Sequence, residues 1–379
     1  MNSIPKPLQR ALEEREAVGT LRRLSQESYS IDFYSNDYIG LAKNIVVREK
    51  AHTILQSYPL QNGSTGSRLL SGNYPLIRKA ESCLATFHAG EKGLLFNSGY
   101  DANVGIFSSI PQKGDVVLYD QYIHASIRDG LQLNKAQNFK FKHNSLSDLQ
   151  EKLQRFAATA TTLYIATESV FSMDGDTPDL LAMVALAKRY NAYIIIDEAH
   201  SVGVFGQKGE GLCQALGIEK DIFLRLITFG KGIGAHGALV LAQTEVIDYL
   251  INFARSFIYT TAAAPESVAT LLAAYALLPE TEERARLHEN IAFFREKAQV
   301  LSQEKGLTFI DSTSAIQGLI IPDSQRVKQV AAHLQDKGMG IKPILSPTVP
   351  KGEERLRICL HSYNTKEEIT QLFQGISEE

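Results

Sequence analysis

Cysteine is scarce. Cys83, Cys213 and Cys359 are the only three in 379 residues, and no two form a CxxC pair. That argues against a disulfide framework or a zinc knuckle and for a reducing compartment, with three buried thiols of no chemical role as the expected arrangement. No stretch approaches the roughly 18 apolar residues a membrane span needs. The opening Met1-Asn-Ser-Ile-Pro-Lys-Pro has no apolar h-region, so no signal peptide is expected, and the reading is a cytoplasmic protein with no membrane partner. Excess charge is lacking too, with a formal net charge of −3. No basic field advertises nucleic acid, so any bound phosphate must be held by local geometry. Internal repeats, low-complexity segments and a GxxxxGK[ST] phosphate loop are all missing.

What is present is apolar mass. Hydrophobic residues make up 44% of the chain, enough for one large domain and a smaller one. The predicted division is an N-terminal helix and short strand over 1–45, a large cofactor-binding α/β domain over 46–265, and a small α+β domain over 266–379. Residues 8–24 read as an amphipathic helix carrying Leu8, Leu12 and Leu21, and Ile31-Asp-Phe-Tyr-Ser as a short strand. Apolar runs then begin at Lys92, Asp115, Thr162, Ala192 and Leu224, with helical segments near 76–89, 147–157 and 179–190 among them. Continuous apolar strands separated by helices require a sheet covered on both faces, so the fold class is α/β with a mainly parallel sheet. A long helical stretch is predicted from Pro265 to about 304, with strands at 308–311, 316–321 and 355–360.

Ligands of an open α/β sheet sit at the carboxyl ends of its strands. The residues that follow the apolar runs there are Asn97-Ser98-Gly99-Tyr100, Asp120 and His124, Glu168 and Ser172, Asp197 and His200, and Thr228 and Lys231. A carboxylate such as Asp197, ending a buried strand, is costly unless paired. A protonated pyridine nitrogen is one such partner, and it would make the ring an electron sink; backbone amides near the strand end are the other. Lys231 stands among glycines after a strand, where backbone can approach a ligand closely. A Schiff-base lysine must lose its charge near pH 7, which desolvation promotes. Thr228 could bind a phosphate through its hydroxyl, Ser98-Gly99-Tyr100 could offer backbone N–H groups at a helix N-terminus, and His124 could stack on an aromatic ring. Taken singly, Lys231 reads as a solvated surface lysine and His124 as a structural histidine.

Two other motifs mislead. Gly232-Ile-Gly-Ala-His-Gly237 fits GxGxxG but lacks the acidic residue about 20 positions on that a dinucleotide site needs. Asp197-Glu-Ala-His200 spells a helicase box in a chain without a phosphate loop.

Together these residues resemble the α-oxoamine synthases, pyridoxal-phosphate enzymes of the type I aminotransferase fold. The motifs run from about residue 8 to 372: Ser35-Asn-Asp-Tyr-Ile-Gly-Leu-Ala, Gly63-Ser-Thr-Gly-Ser-Arg-Leu-Leu-Ser-Gly, His124-Ala-Ser, Glu168-Ser-Val-Phe-Ser-Met-Asp-Gly-Asp, Asp197-Glu-Ala-His-Ser-Val-Gly, Thr228-Phe-Gly-Lys, Ile258-Tyr-Thr-Thr and Arg355-Leu-Arg-Ile. The family condenses an amino acid with an acyl thioester and releases CO2. The resemblance implies pyridoxal 5'-phosphate on Lys231, which also moves the substrate α-proton, and Asp197 at the pyridine nitrogen. It implies His124 stacked on the ring and touching substrate, and His200 and Ser172 near the phenolic oxygen. Ser98, Gly99, Tyr100 and Thr228 would hold phosphate and ring, with Thr260 and Thr261 reaching the phosphate from the second subunit of a homodimer. Arg357 would grip the amino-acid carboxylate with Asn36 nearby.

Within the family, Lys231-Gly-Ile-Gly-Ala-His-Gly, Phe253-Ala-Arg-Ser-Phe-Ile-Tyr and Pro347-Thr-Val-Pro resemble the alanine-using branch, which serves biotin synthesis. Glycine-using ligases and serine-using long-chain synthases are the rivals. The substrates implied are L-alanine and an acyl thioester, with Thr348 in contact and Arg22 serving a dicarboxylic acyl end. No metal is implied. Two positions depart from the branch. Leu345 stands where arginine is usual, with Lys342 three residues earlier, and Asn364 is nearest to the histidine usual after the Arg355 strand.

Overall fold

A computed structural model describes residues 4–24, 28–59 and 62–378. Its centre is a seven-stranded sheet in the order Lys92–Phe96, Ala238–Ala242, Leu224–Thr228, Ala192–Asp197, Leu163–Glu168, Val116–Asp120, Gln137–Phe141. Ala238–Ala242 runs antiparallel to both neighbours, and the other pairings are parallel. Successive side chains of a strand point to opposite faces, and this sheet uses both. Val117, Tyr164, Ala166 and Ile195 pack into one apolar layer with the helices Gly99–Ser109 and Ala125–Leu133. Val116, Leu118, Leu163, Ile165, Ile194 and Ile196 pack into another with the helices Leu146–Phe156 and Leu180–Tyr190. Coverage on both faces is why these strands read as unbroken apolar runs rather than as alternation. The architecture is of the expected α/β class, a mainly parallel sheet covered on both faces.

A second, antiparallel sheet is ordered Lys342–Ile344, Arg355–Cys359, Ile316–Ile320, Thr308–Phe309. Ile31–Asp32 pairs in parallel with Met339–Gly340, which ties the segment before the large sheet to the end of the chain and brings Asn36 and Tyr38 toward the strand ends.

Several expectations need correction. The first helix spans Lys6–Ala17 rather than 8–24. It stops where Gly19 takes a left-handed φ of +65°, a conformation glycine adopts at helix ends. Leu8 and Leu12 on it are 58% and 50% exposed on this single chain. The stretch after Pro265 is two helices, Pro265–Leu277 and Glu283–Lys305. Pro279 lies in the break, and proline disfavours helix at the residue before it. Gln137–Phe141, Ala238–Ala242 and Lys342–Ile344 are additional strands. The first lies at the sheet edge, where its polar Gln137, Asn138 and Lys140 are tolerated and hid it from a search for apolar runs. Cys83 is exposed rather than buried; Cys213 and Cys359 are buried.

Candidate active site

The strand ends converge. Glu168, Asp197 and Thr228 are the last residues of three adjacent strands, and Lys231 follows in the next turn. They line a cavity of about 280 Å³ with Asn36, Ser98, Gly99, Tyr100, Asn103, His124, Ser126 and His200. The turn that carries Lys231 is tight: Ala235 N–H donates to Phe229 O at 2.8 Å and Gly234 N–H to Lys231 O at 2.8 Å. Gly234 has φ +63°, and a Cβ there would lie 2.2 Å from the backbone nitrogen of Ala42, so only glycine fits. The turn leads into the antiparallel strand Ala238–Ala242, not into a helix, which removes the dinucleotide reading of its glycines.

Asp197 and Glu198 are adjacent and diverge. Asp197 faces the cavity, its Oδ2 accepting from Asn103 Nδ2 at 2.9 Å and its Oδ1 from Ala199 N–H at 2.9 Å. Glu198 turns into the protein and pairs with Arg225 at 2.7 Å. The cavity's electrostatics favour neutral forms. Burial pulls the Lys231 ammonium below the usual lysine range against the attraction of Asp197 and Glu168. Burial, and then Asp197, push Glu168 up to about 8. Burial holds His200 well below the usual histidine range, reinforced by Lys231 and Arg357. Loss of solvent also lowers His124.

His200 belongs to a chain of hydrogen bonds. Asn36 Oδ1 accepts from Arg357 Nη2 at 3.0 Å and from Tyr38 OH at 3.1 Å, and Tyr38 lies 2.7 Å from His200 Nδ1. Arginine has no acceptor, so the Asn36 oxygen must face it; the phenol proton then points at Asn36, and His200 Nδ1 carries a proton. His200 Nε2 is left as an acceptor. Arg357 is 9% exposed and lies behind Asn36 rather than on the cavity wall. Its Nε donates to Ser172 O at 2.6 Å and its Nη1 to Cys359 Sγ at 2.8 Å, leaving part of the guanidinium fork uncommitted.

His124 caps the helix Ala125–Leu133, with Ser126 N–H on its Nδ1 at 3.2 Å, and its own N–H donates to Glu168 Oε1 at 2.6 Å. It also lines a second cavity of about 330 Å³, with Arg22, Tyr122, Arg128, Phe171, Ser172, Thr348 and Arg355. Arg355 is ion-paired there with Asp174. Lys342 is not in this wall and lies over the rings of Tyr29 and Tyr34, 5.7 and 5.9 Å away. Leu345 packs on the core. Asn364 is buried and accepts from His361 N–H at 2.8 Å, closing the turn after the Arg355–Cys359 strand.

The predicted residues thus divide. Asn36, Ser98, Gly99, Tyr100, His124, Asp197, His200, Thr228 and Lys231 share one cavity. Arg22, Ser172 and Thr348 line the next, also through His124. Thr260 and Thr261 line neither; Asn97 Nδ2 of the same chain donates to Thr260 Oγ1 at 3.2 Å and to Thr261 O at 2.7 Å. Tyr38, Asn103 and Ser126 were not singled out from sequence. Tyr38 and Ser126 stand inside the Ser35–Ala42 and His124-Ala-Ser motifs, and Asn103 carries no such signal.

The cavity fits pyridoxal phosphate. Thr228 Oγ1 is buried with no hydrogen-bond partner, an arrangement that costs about 1–3 kcal/mol unless a ligand supplies one. Beside it, the helix Gly99–Ser109 begins with Ser98 capping Asp101 N–H at 3.0 Å. A Cβ at Gly99 would lie 2.6 Å from Thr228 Cγ2, so glycine keeps this helix start open beside that hydroxyl. Free N–H groups at a helix start suit a phosphate.

Comparison with known proteins bears on the same point. The profile for class I and II aminotransferases matches residues 29–376. The chain belongs to that family. It is 41% identical to an 8-amino-7-oxononanoate synthase of Emericella nidulans over 98% of this chain and 94% of that one. A Chromohalobacter salexigens protein of the same name is 37% identical over 98% and 95%. Among solved structures, a Sphingomonas wittichii serine palmitoyltransferase superposes with TM-score 0.89 at 27% identity, covering 100% of this chain and 98% of that one. The 8-amino-7-oxononanoate synthase of Francisella tularensis superposes with TM-score 0.78 at 30% identity, over 92% and 97%. The likeness to α-oxoamine synthases read from the motifs therefore stands: the chain is a pyridoxal-phosphate-dependent enzyme of acyltransferase type. Among the described residues no helix is long and apolar enough to cross a membrane, and no His, Cys, Asp and Glu group could hold a metal ion.

Proposed function

We propose that this enzyme condenses L-alanine with a pimeloyl thioester, releasing CO2 and the carrier thiol to give 8-amino-7-oxononanoate. The observation that carries the reading is the junction of two cavities at His124: one presents Lys231 and Asp197, the other presents Arg22 and Thr348. Bound pyridoxal phosphate supplies a carbonyl for an amino group and an electron sink for charge developing on Cα. Lys231 would hold it, Asp197 would keep its ring nitrogen protonated, and Thr228, Gly99 and the helix start behind Ser98 and Tyr100 would take its phosphate.

The protein's own groups then divide the work. Arg357, oriented by Asn36 and the Ser172 carbonyl, receives the alanine carboxylate. A neutral Lys231 amine accepts the Cα proton, and burial favours that uncharged form. His124 forms the wall between amino acid and acyl chain and shields the new carbon–carbon bond from water. His200, with Nε2 free as an acceptor, would lie near the cofactor's phenolic oxygen. The working unit in this reading is a homodimer, with Thr260 and Thr261 of one copy at the phosphate of the other.

The serine palmitoyltransferase likeness makes a serine-using, long-chain enzyme the second reading. Cations in the acyl cavity favour a short acid-ended chain over it. The deciding experiment is thiol release by cofactor-loaded protein given pimeloyl-coenzyme A with alanine, glycine or serine in parallel. Release with alanine is the expected result. Release only with serine and a long-chain thioester would overturn the proposal.

A further inference from the structure

The second cavity has an unusual charge pattern. Its wall mixes apolar residues, Ile123, Phe171, Met173 and Val349 among them, with three arginines and one carboxylate, Asp174. Arg355 is buried and committed to Asp174 and Glu353. Arg22 and Arg128 are exposed to the cavity, and neither enters an ion pair among the described residues. Two cations without ion-pair partners on one cavity wall call for an anion. The arginine usual at position 345 in this branch is absent, and Leu345 packs on the core.

Arg128 lies on the helix Ala125–Leu133, one turn beyond His124, and residues four apart on a helix share a face. Its Nη2 donates to the carbonyl of Gln121, which anchors the side chain at one edge and leaves its other donors unused. A guanidinium held this way suits a carboxylate, since its planar fork can present two parallel N–H groups.

Building on the proposed function, we infer that Arg128, together with Arg22, binds the far carboxylate of the acyl chain and so selects ω-carboxylated acyl thioesters. The same cations could instead meet the phosphates of coenzyme A, so the test must separate chain from carrier.

The experiment compares wild type with Arg128→Gln and Arg22→Gln, each loaded with cofactor and given L-alanine. Substrates are pimeloyl-coenzyme A and heptanoyl-coenzyme A, then the same two acyl groups on N-acetylcysteamine, which has no phosphate. The ratio of kcat/KM for pimeloyl over heptanoyl should fall roughly tenfold to a hundredfold in Arg128→Gln on both carriers, the scale of one charge-assisted hydrogen bond. A ratio that stays fixed on both carriers overturns the inference. So does an equal loss for both acyl groups on coenzyme A with none on N-acetylcysteamine, which would assign Arg128 to the carrier phosphates. Wild type that turns over heptanoyl but not pimeloyl thioester removes the ω-carboxylate role and leaves alanine condensation standing. Wild type that uses neither with alanine overturns the proposed function and this inference with it. The lysine-linked cofactor absorbance of each variant reports that the fold and the Lys231 cavity are intact.

Discussion

Two clusters of buried charge hang on the same strands and are built to opposite specifications. Below the sheet, Glu198 and Arg225 face one another at 2.7 Å. Glu198 also accepts from Cys213 N–H at 2.9 Å, and Arg225 donates to the His88 carbonyl at 2.7 Å. Every charge there has a partner. In the Lys231 cavity, one residue along the chain, Thr228 Oγ1 has none, Glu168 is driven toward its acid form, and Lys231 and His200 toward theirs without charge. A satisfied ion pair holds structure; groups kept near their neutral points by burial can exchange protons with a ligand. The lesson is that burial alone does not mark a site. Burial with unmet partners does.

The comparison can be broken first at its chemical end. Lys231→Ala should reduce thiol release by about 10²–10⁴-fold or more, the contribution of a positioned proton-transfer group. It should also abolish the lysine-linked cofactor absorbance while leaving the unfolding midpoint near that of wild-type apoprotein. At the structural end, Arg225→Met leaves Glu198 buried and unpaired, and should cost about 3–5 kcal/mol in urea unfolding. The folded fraction of that variant should still bind cofactor, since Arg225 does not line the Lys231 cavity. Equal damage to both properties in either variant would merge the two clusters into one.

Thr228→Val separates them more finely. Removing the hydroxyl should weaken cofactor binding about tenfold to a hundredfold, measured by absorbance titration. Stability of the apoprotein should hold or rise, because a buried polar atom without a partner is lost. The last effect is in pH dependence. Glu168 has its pKa raised to about 8 from 4.5, so the folded protein binds a proton that the unfolded chain releases between those values. Its contribution to stability is complete below about pH 4.5 and is lost as pH rises toward 8. Glu168→Gln should flatten that part of the apoprotein's stability profile, and an unchanged slope would show that Glu168 does not titrate there.

Much of the cavity was legible because its parts stand at strand ends. Asp197, Thr228 and Lys231 each follow an apolar run, and polar residues at that place in an α/β sheet face its ligands. Gly99 and the Lys231 turn were visible for a related reason: glycine there answers a steric demand that is local in the chain. Leu21 continues the apolar pattern beyond Ala17, but the left-handed turn at Gly19 ends the helix that begins at Lys6. The edge strand Gln137–Phe141 escaped because an edge tolerates the polar residues that a search for apolar runs rejects.

The sequence by itself determined the class of fold, the cofactor and most of the residues that line the Lys231 cavity, since apolar periodicity and the ordered motifs depend on residues close together in the chain. Only the tertiary structure decided which way each group faces. Asp197 and Glu198 are neighbours with opposite surroundings: Asp197 ends its strand on the cavity, and Glu198, just past the strand end with its N–H on Leu226 O at 2.8 Å, carries the alternation one step on and turns to Arg225. Tyr38 reaches His200 because Ile31–Asp32 is pinned to Met339–Gly340, a pairing across some 300 residues that no local pattern encodes. Arg128, on a helix beyond His124, shares a cavity wall with Arg22, although about a hundred residues separate them in the chain.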